Sequence, residues 1–286
     1  MKCAVKILLC FILSSGASAY MFGATDYSVL ETKASRFYAN KEWASSLAMY
    51  ELMISQNPSV VNNYVRAIIL SGLLKNPDMQ MAFLERTQQE GLPLDSIFNS
   101  IRQDAFAIGH PNIYESFLKL VKTKQQWLAR NINIQLLKYY KYRSDADNMI
   151  DVCNQLLKGT PDDIGYLTDM AEAYALKGDL QESMDWYNKI LTIDKNNYNS
   201  LLTLGNYYNI LLQDYMKKIT SSPDNQQPVT NTSLSKITGE EKSEIKKNAE
   251  LATVYLSSAY KVKPTPYVAG TLDQIKALIS GMQKNK

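Results

Sequence analysis

The sequence predicts an all-α fold, a solenoid of antiparallel helix pairs with a C-terminal capping helix. Tyr140, Tyr174 and Tyr208 stand 34 residues apart, and other apolar positions keep step with them, which is the interval of a two-helix unit that stacks on copies of itself. Within the interval the apolar spacing is helical twice over, with a break between the halves. The period-two alternation that marks strands is absent. A stack of helix pairs offers an extended concave surface, suited to holding other molecules rather than converting them.

Residues 1–19 are a separate segment. Lys2 and Lys6 precede an apolar run from Ile7 to Leu13, and a small-residue stretch ends in Ala17, Ser18 and Ala19 before Tyr20. This is the pattern of a secretory signal peptide cleaved after Ala19. The run is shorter than the roughly 20 apolar residues of a bilayer-spanning helix, and no later segment approaches that length. A lipid anchor requires a cysteine just after the run behind a small residue, whereas Cys10 lies inside it behind Leu9. The expectation is an exported chain, periplasmic or secreted, with 20–286 as a single solenoid. Cleavage removes Lys2, Lys6, Cys3 and Cys10, so 31 basic residues become 29 against 28 acidic ones, and Cys153 is left without a disulfide partner. Stability must then come from the core. Near-neutral charge also lacks the electrostatic footprint of a nucleic-acid binder, and basic clusters such as Lys138, Lys141 and Arg143 are short.

The first repeat, 27–59, is placed by Phe37, Tyr50, Met53 and Pro58, which sit 103 residues before Tyr140, Cys153, Leu156 and Pro161, three repeats plus one residue. Its turn holds Asn40 and Lys41, and Trp43 opens its second helix. Between 60 and 129 helix pairs persist as divergent repeats: Val61–Leu74 and Asp78–Gln89 are parted by Asn76-Pro77, and Leu94–Ile108 and Asn112–Lys122 by Gly109-His110-Pro111.

Repeat 130–163 carries Leu136, Leu137, Tyr140, Met149, Cys153, Leu156 and Pro161 in register. Repeat 164–197 is the clearest. Leu167, Met170, Ala171 and Tyr174 form one stripe, Met184, Tyr187, Ile190 and Leu191 another, and Gly178-Asp179 divides them. Gly supplies the turn and Asp caps the second helix. Ala171, Tyr174, Gly178, Asp179, Ser183 and Tyr187 together closely resemble the tetratricopeptide repeat, whose pattern has a small residue and a Tyr in the first helix, Gly-Asp in the turn, and a small residue then an aromatic in the second. Lys195 departs from it, standing where that family usually has Pro. The resemblance implies a right-handed superhelix.

Repeat 198–264 opens with Leu204, Gly205 and Tyr208, and its second half reappears as Ala252, Leu256, Ala259 and Pro264. Pro264 lies 69 residues after Lys195 where one repeat gives 34, so a long insertion occupies about 213–247. Leu211 to Ile219 and Glu240 to Leu251 continue helical patterns, which lengthens both helices into a projecting hairpin. The stretch 220–239, rich in Ser, Thr, Asn, Gln and Pro, is expected as a mobile loop. A capping helix over 267–282 carries Leu272, Ile275, Leu278 and Ile279 on one side.

His110 is the only histidine, which excludes Ser-His-Asp, Cys-His and multi-histidine metal arrangements within this chain. It reads as a solvated turn residue, and Cys153 as inert core. The pairs Asp162-Asp163 and Glu240-Glu241 sit where they cap helices, and nothing brings a second acid to the distance that two-carboxylate hydrolysis needs. No phosphate loop, Cys-x-x-Cys pair or calcium loop occurs. The expectation is no catalytic residue, no metal and no cofactor. Of the tyrosines, Tyr50, Tyr140, Tyr174, Tyr187 and Tyr208 read as packing between repeats, whereas Tyr142, Tyr207 and Trp127 are left to face a ligand.

In the tetratricopeptide family the inner groove is lined by outward positions of first helices. Carried over by register, that face comprises Asn131, Gln135, Lys138 and Lys141, then Thr168, Asp169 and Glu172, then Asn199, Thr203, Asn206 and Asn209. Amides can pair with a peptide backbone and the two lysines with a carboxylate, while a merely solvated face is the plain alternative. Only Asn206 matches a place in the carboxylate clamp of some family members, so that clamp is not expected. The function implied is a non-catalytic scaffold or adaptor of the cell envelope, binding a peptide or helix of another protein. The alternative is a polysaccharide-binding component of an outer-membrane uptake system, using aromatic and amide groups.

Overall fold

The computed structural model describes residues 26–220 and 238–283, and all regular structure among them is helical. The leader 1–19 and nearly all of the expected loop 220–239 lie outside the described residues. The chain packs as two compact units, one ending at Ala129 and the other starting at Arg130.

The first unit contains α1 (Tyr27–Ala39), α2 (Trp43–Gln56), α3 (Val61–Leu73), α4 (Pro77–Gln89), α5 (Leu94–Ala107), α6 (Pro111–Lys124) and a single 3-10 turn at Gln126–Leu128. Its centre is α3, which packs against α2, α4, α5 and α6. The sequence explains the placement, because Tyr64, Val65, Ala67, Ile68, Ile69 and Leu70 leave almost no polar face and all are fully buried. Small residues set the closest approach of α1 to α2: Ala34 and Ser46 are both fully buried, and Ser46 Oγ donates to the Ala34 carbonyl at 3.0 Å. Two reciprocal amide bonds of 2.8 and 3.1 Å join Gln88 to Gln125, satisfying both half-buried side chains.

The second unit contains α7 (Ala129–Arg143), α8 (Ala146–Leu157), α9 (Ile164–Lys177), α10 (Leu180–Ile193), α11 (Tyr198–Thr220), α12 (Gly239–Val262) and α13 (Pro266–Gln283). Successive helices from α8 to α13 pack on one another. Helices α11 and α12, of 23 and 24 residues against 12–15 for α7 to α10, form the lengthened hairpin. At 1.5 Å per residue they are ~15 Å longer than their neighbours. Leu212, Ile245, Ala249, Ala252 and Leu256 zip the hairpin together, and Val268, Leu272 and Ile275 of α13 close over it, with Leu278 and Ile279 packed at the edge.

One backbone feature recurs through both units. Lys41, Lys75, Gly109, Ser144 and Gly178 each hold positive φ, between 52° and 87°, in the turn inside a helix pair, at sequence intervals of 34 or 35. At each, the amide of the following residue bonds back to a carbonyl five positions earlier, as from Asp179 to Tyr174 and from Asp145 to Tyr140, both at 3.0 Å. These are Schellman closures. Only two of the five are glycine. The others bear the left-handed conformation at about 1–2 kcal/mol each, so a search for Gly does not find the turns at Lys41, Lys75 and Ser144.

Caps complete the helix starts. Asp26, Asn76, Asp145, Asp163 and Asp179 each accept from a backbone amide in the first turn of α1, α4, α8, α9 and α10. Thr238 and Glu241 form a reciprocal capping box at α12, which accounts for one of the acidic pairs. Of the other pair Asp163 caps α9, while Asp162 is exposed. Helix α10 ends without the family proline. Asp194 follows it in extended conformation and accepts from the Asn196 amide at 3.0 Å, which turns the chain instead.

Candidate functional site

The face to consider belongs to the first helices of the second unit, α7, α9 and α11. Each is pinned from behind by apolar residues, Ile132, Leu136 and Tyr140 in α7, Leu167, Met170 and Ala171 in α9, Leu201 and Leu204 in α11, all buried. Apart from Gln135, none of the predicted residues is buried. Asn131, Lys138 and Asn199 are exposed. Gln135 is buried at 6 % exposure, so its amide faces the packed interior rather than the surface.

Lys141 bridges two repeats. Its Nζ bonds the Asp169 carboxylate and lies 3.1 Å from Glu172, so both acids of the middle helix are paired by the lysine of the helix before. Partial desolvation of the ammonium works against its charge, but hydrogen bonds and attraction from Asp169 and Glu172 outweigh it and raise the Lys141 pKa. One ammonium faces two carboxylates, so the cluster keeps one net negative charge. A guest carboxylate that sought Lys141 must compete with two carboxylates already in place; both lysines of the predicted pair are exposed.

In the third first helix the polar groups are partly committed. Asn206 accepts from the Tyr267 hydroxyl of α13 at 3.1 Å. Thr203 lies beside the Tyr187 hydroxyl, whose pKa is raised by burial and by Glu172. In α9, Thr168 Oγ1 turns back to the Ile164 carbonyl at 2.7 Å; in α11 the Asn209 Oδ1 atom is buried without a hydrogen-bond partner. Tyr208 is half-buried and stacks on Tyr255 with centroids 5.8 Å apart, while Tyr207 meets Tyr208 edgewise at 5.2 Å. Tyr50, Tyr140 and Tyr187 are buried and Tyr174 is half-buried. Tyr142 and Trp127 are 73 % and 72 % exposed on their respective units.

Burial, helped by Asp169, pushes the Cys153 thiol up to about 12, so it stays protonated at neutral pH. His110 is exposed immediately before α6. Among the described residues no three His, Cys, Asp or Glu side chains gather as a metal site, and no helix is long and apolar enough to cross a membrane.

Ala171 and Ser183, the small positions of the clearest repeat, are both fully buried where α9 meets α10, and Gly178 closes their turn in the left-handed conformation. The fold is tetratricopeptide-like. A solved structure of a candidate protein-binding protein from Bacteroides ovatus covers 79 % of this chain and 100 % of its own, at 17 % identity and a TM-score of 0.53. A tetratricopeptide repeat protein from Bacteroides fragilis covers 89 % and 99 %, at 13 % identity and TM-score 0.37. YrrB, a tetratricopeptide protein with an unusual peptide-binding site, covers 62 % and 97 %, at 13 % identity and TM-score 0.34. No family model and no curated protein matches the sequence.

Sequence reasoning about this tetratricopeptide-like face missed two things. The pairing of Lys141 with Asp169 and Glu172 has a signal, opposite charges 28 and 31 residues apart, just under one repeat. The burial of Gln135 has none, since an amide at that register reads as outward.

Proposed function

We propose that this chain is a non-catalytic protein–protein interaction scaffold of the cell envelope, which holds a peptide or helix of a partner against the first-helix face of α7, α9 and α11. One observation carries the reading. Asn131 and Asn199 stand two repeats apart at one register position, both exposed with Lys138 between them in sequence, on helices whose other sides are locked into the core. Rigid presentation of unburied amides is what recognition of a peptide asks for, because little freedom remains to be lost on binding. The groups best suited to covalent or acid–base work are committed elsewhere, Cys153 as a protonated core thiol and Lys141 in its ion pairs. Export is supported by Lys2, Lys6, the Ile7–Leu13 run and the small residues before Tyr20.

Affinity purification of the tagged chain from the native envelope fraction recovers one defined protein under this reading. Binding of that purified partner falls when Lys138→Glu is combined with Asn199→Ala. Undiminished binding by that variant, with its melting temperature intact, would refute the assignment of the face. A glycan array that captures the chain in place of any protein would favour the polysaccharide alternative.

A further inference from the structure

The corner where α12 gives way to α13 stands clear of the second unit. Tyr260, Lys261, Val262, Lys263 and Pro264 are consecutive exposed residues, and exposed Pro266 and Tyr267 follow with only Thr265 half-buried between them. Tyr260, Val262 and Tyr267 are 40 %, 42 % and 59 % exposed. Lys263 Nζ lies 5.4 Å from the centroid of the Tyr198 ring at the start of α11, which sets the short turn after α10 beside the corner. That turn, closed by the Asn197 amide on the Asp194 carbonyl at 3.0 Å, carries exposed Lys195 next to Ile193, which is 41 % exposed. The charge here is one-sided. Neither of the stretches that meet, 195–213 and 251–272, contains an Asp or a Glu. Asp194 is the neighbouring acid in sequence, and its carboxylate accepts from the Asn196 amide. Singly exposed apolar residues are ordinary, but three within eight residues, interleaved with lysines on a projecting corner, form a mixed apolar and basic patch.

We infer that this corner rests on the surface of an anionic lipid bilayer, with Lys195, Lys261 and Lys263 at the headgroups and Tyr260, Val262 and Tyr267 at the edge of the acyl chains. The inference concerns a different surface from the first-helix face and does not depend on the scaffold reading. Lysine suits such a boundary because its stem lies along apolar surface while the ammonium stays in water. Tyrosine suits it because one end of the ring is apolar and the other wet. Charge selects among occupants. Against a second copy of itself the corner would set lysine against lysine, and a free phosphate or a nucleic-acid backbone would leave Val262 and Ile193 without an apolar neighbour. Shape agrees, since a projecting corner presses into a soft surface, whereas a standard protein–protein interface needs ~800 Å² of matched area on each side. The contact is peripheral, because no helix among the described residues is long and apolar enough to cross a membrane.

The test uses the chain from Tyr20 onward, so that the apolar run Ile7–Leu13 cannot itself supply lipid binding; its removal takes away no described residue. Sedimentation with vesicles of phosphatidylcholine alone is compared with a two-to-one mixture of phosphatidylcholine and phosphatidylglycerol. The chain binds the mixed vesicles at least about tenfold more tightly, and added salt weakens the binding. Lys195→Glu combined with Lys261→Glu weakens it at least about tenfold, and Tyr260→Asn combined with Val262→Asn about three- to tenfold. All four positions are exposed, and unchanged melting curves establish that the variants are folded. The first-helix variant Lys138→Glu with Asn199→Ala binds vesicles like the parent, which separates the two readings. Failure to bind the mixed vesicles, equal binding to both kinds, or indifference to either pair of corner substitutions overturns the inference and leaves the scaffold reading standing. Dimerisation in sedimentation equilibrium, or capture of a labelled oligonucleotide, that requires Lys195 and Lys261 without any vesicle binding likewise overturns it, in favour of a second copy or a nucleic acid.

Discussion

Gly205 of α11 lies tight against Leu256 of α12, and replacing it with Ala gives a test with two opposing terms. In an exposed helix interior Gly→Ala stabilises by about 0.8–1 kcal/mol, because glycine loses more backbone freedom on folding. At Gly205 an added Cβ would lie 2.6 Å from Leu256 Cγ, 2.8 Å from Leu256 Cδ2 and 3.2 Å from the Leu256 amide nitrogen. Clearing the contact at Leu256 Cγ needs another χ1 rotamer, which the preceding helical turn and the surrounding core restrict, and the backbone stands just behind it, so α11 and α12 must separate. Overpacking of this kind costs about 1–3 kcal/mol, at its upper end when backbone must move. The clash therefore wins, with a net loss of about 1–2 kcal/mol, a fall in Tm of about 2–8 °C for a unit this size. Gly270→Ala in α13 is the control, since nothing lies within 4 Å of its added Cβ; it should gain up to about 1 kcal/mol. Urea titration and thermal melts followed at the helical circular-dichroism band read both. The double variant Gly205→Ala, Leu256→Ala should cost at least about 1 kcal/mol less than the sum of the singles, because shortening Leu256 makes the room. A Gly205→Ala protein as stable as Gly270→Ala, or strict additivity with Leu256→Ala, would refute the close packing of these helices.

Lys141→Met should destabilise by about 0.5–1 kcal/mol, the scale of a partly exposed ion pair. Because folding raises the Lys141 pKa, its contribution is complete below the ordinary lysine value of 10.5 and is lost as pH climbs through the raised one, so the Tm gap between the two proteins should close in strong alkali; a constant gap would mean that packing alone matters. Asp163→Ala should cost about 1 kcal/mol through loss of the bonds from the Gly165 and Tyr166 amides, and Asp162→Ala less than about 0.5, by chemical denaturation; equal losses would move the cap. Cys153 should react with a thiol reagent only as fast as the second unit unfolds, given full burial and a pKa pushed up to about 12; prompt labelling of the native protein would contradict its place in the core.

Much of the fold was legible because helix pairs are specified locally. Tyr140, Tyr174 and Tyr208 announce the interval, Asp163 and Asp179 write their caps in sequence, and the arithmetic around Pro264 finds the inserted helices. The candidate face was less legible. Its register could be carried along the chain, yet register does not say whether Gln135 is covered, whether Lys141 already has partners, or that Tyr267 comes back to Asn206 from 61 residues away. The left-handed conformation at Lys41, Lys75 and Ser144 was also hidden: the turn at Asn40 and Lys41 was legible, but a lysine or serine does not announce a positive φ.

By itself the sequence determined helix identity, pairing and repeat length, because hydrophobic period, capping side chains and turn residues act within a few positions of one another and need no distant partner. Tertiary structure decided which polar side chains remain available. Availability depends on what neighbouring repeats place opposite them, and a carboxylate from the next repeat satisfies a lysine as fully as a guest would.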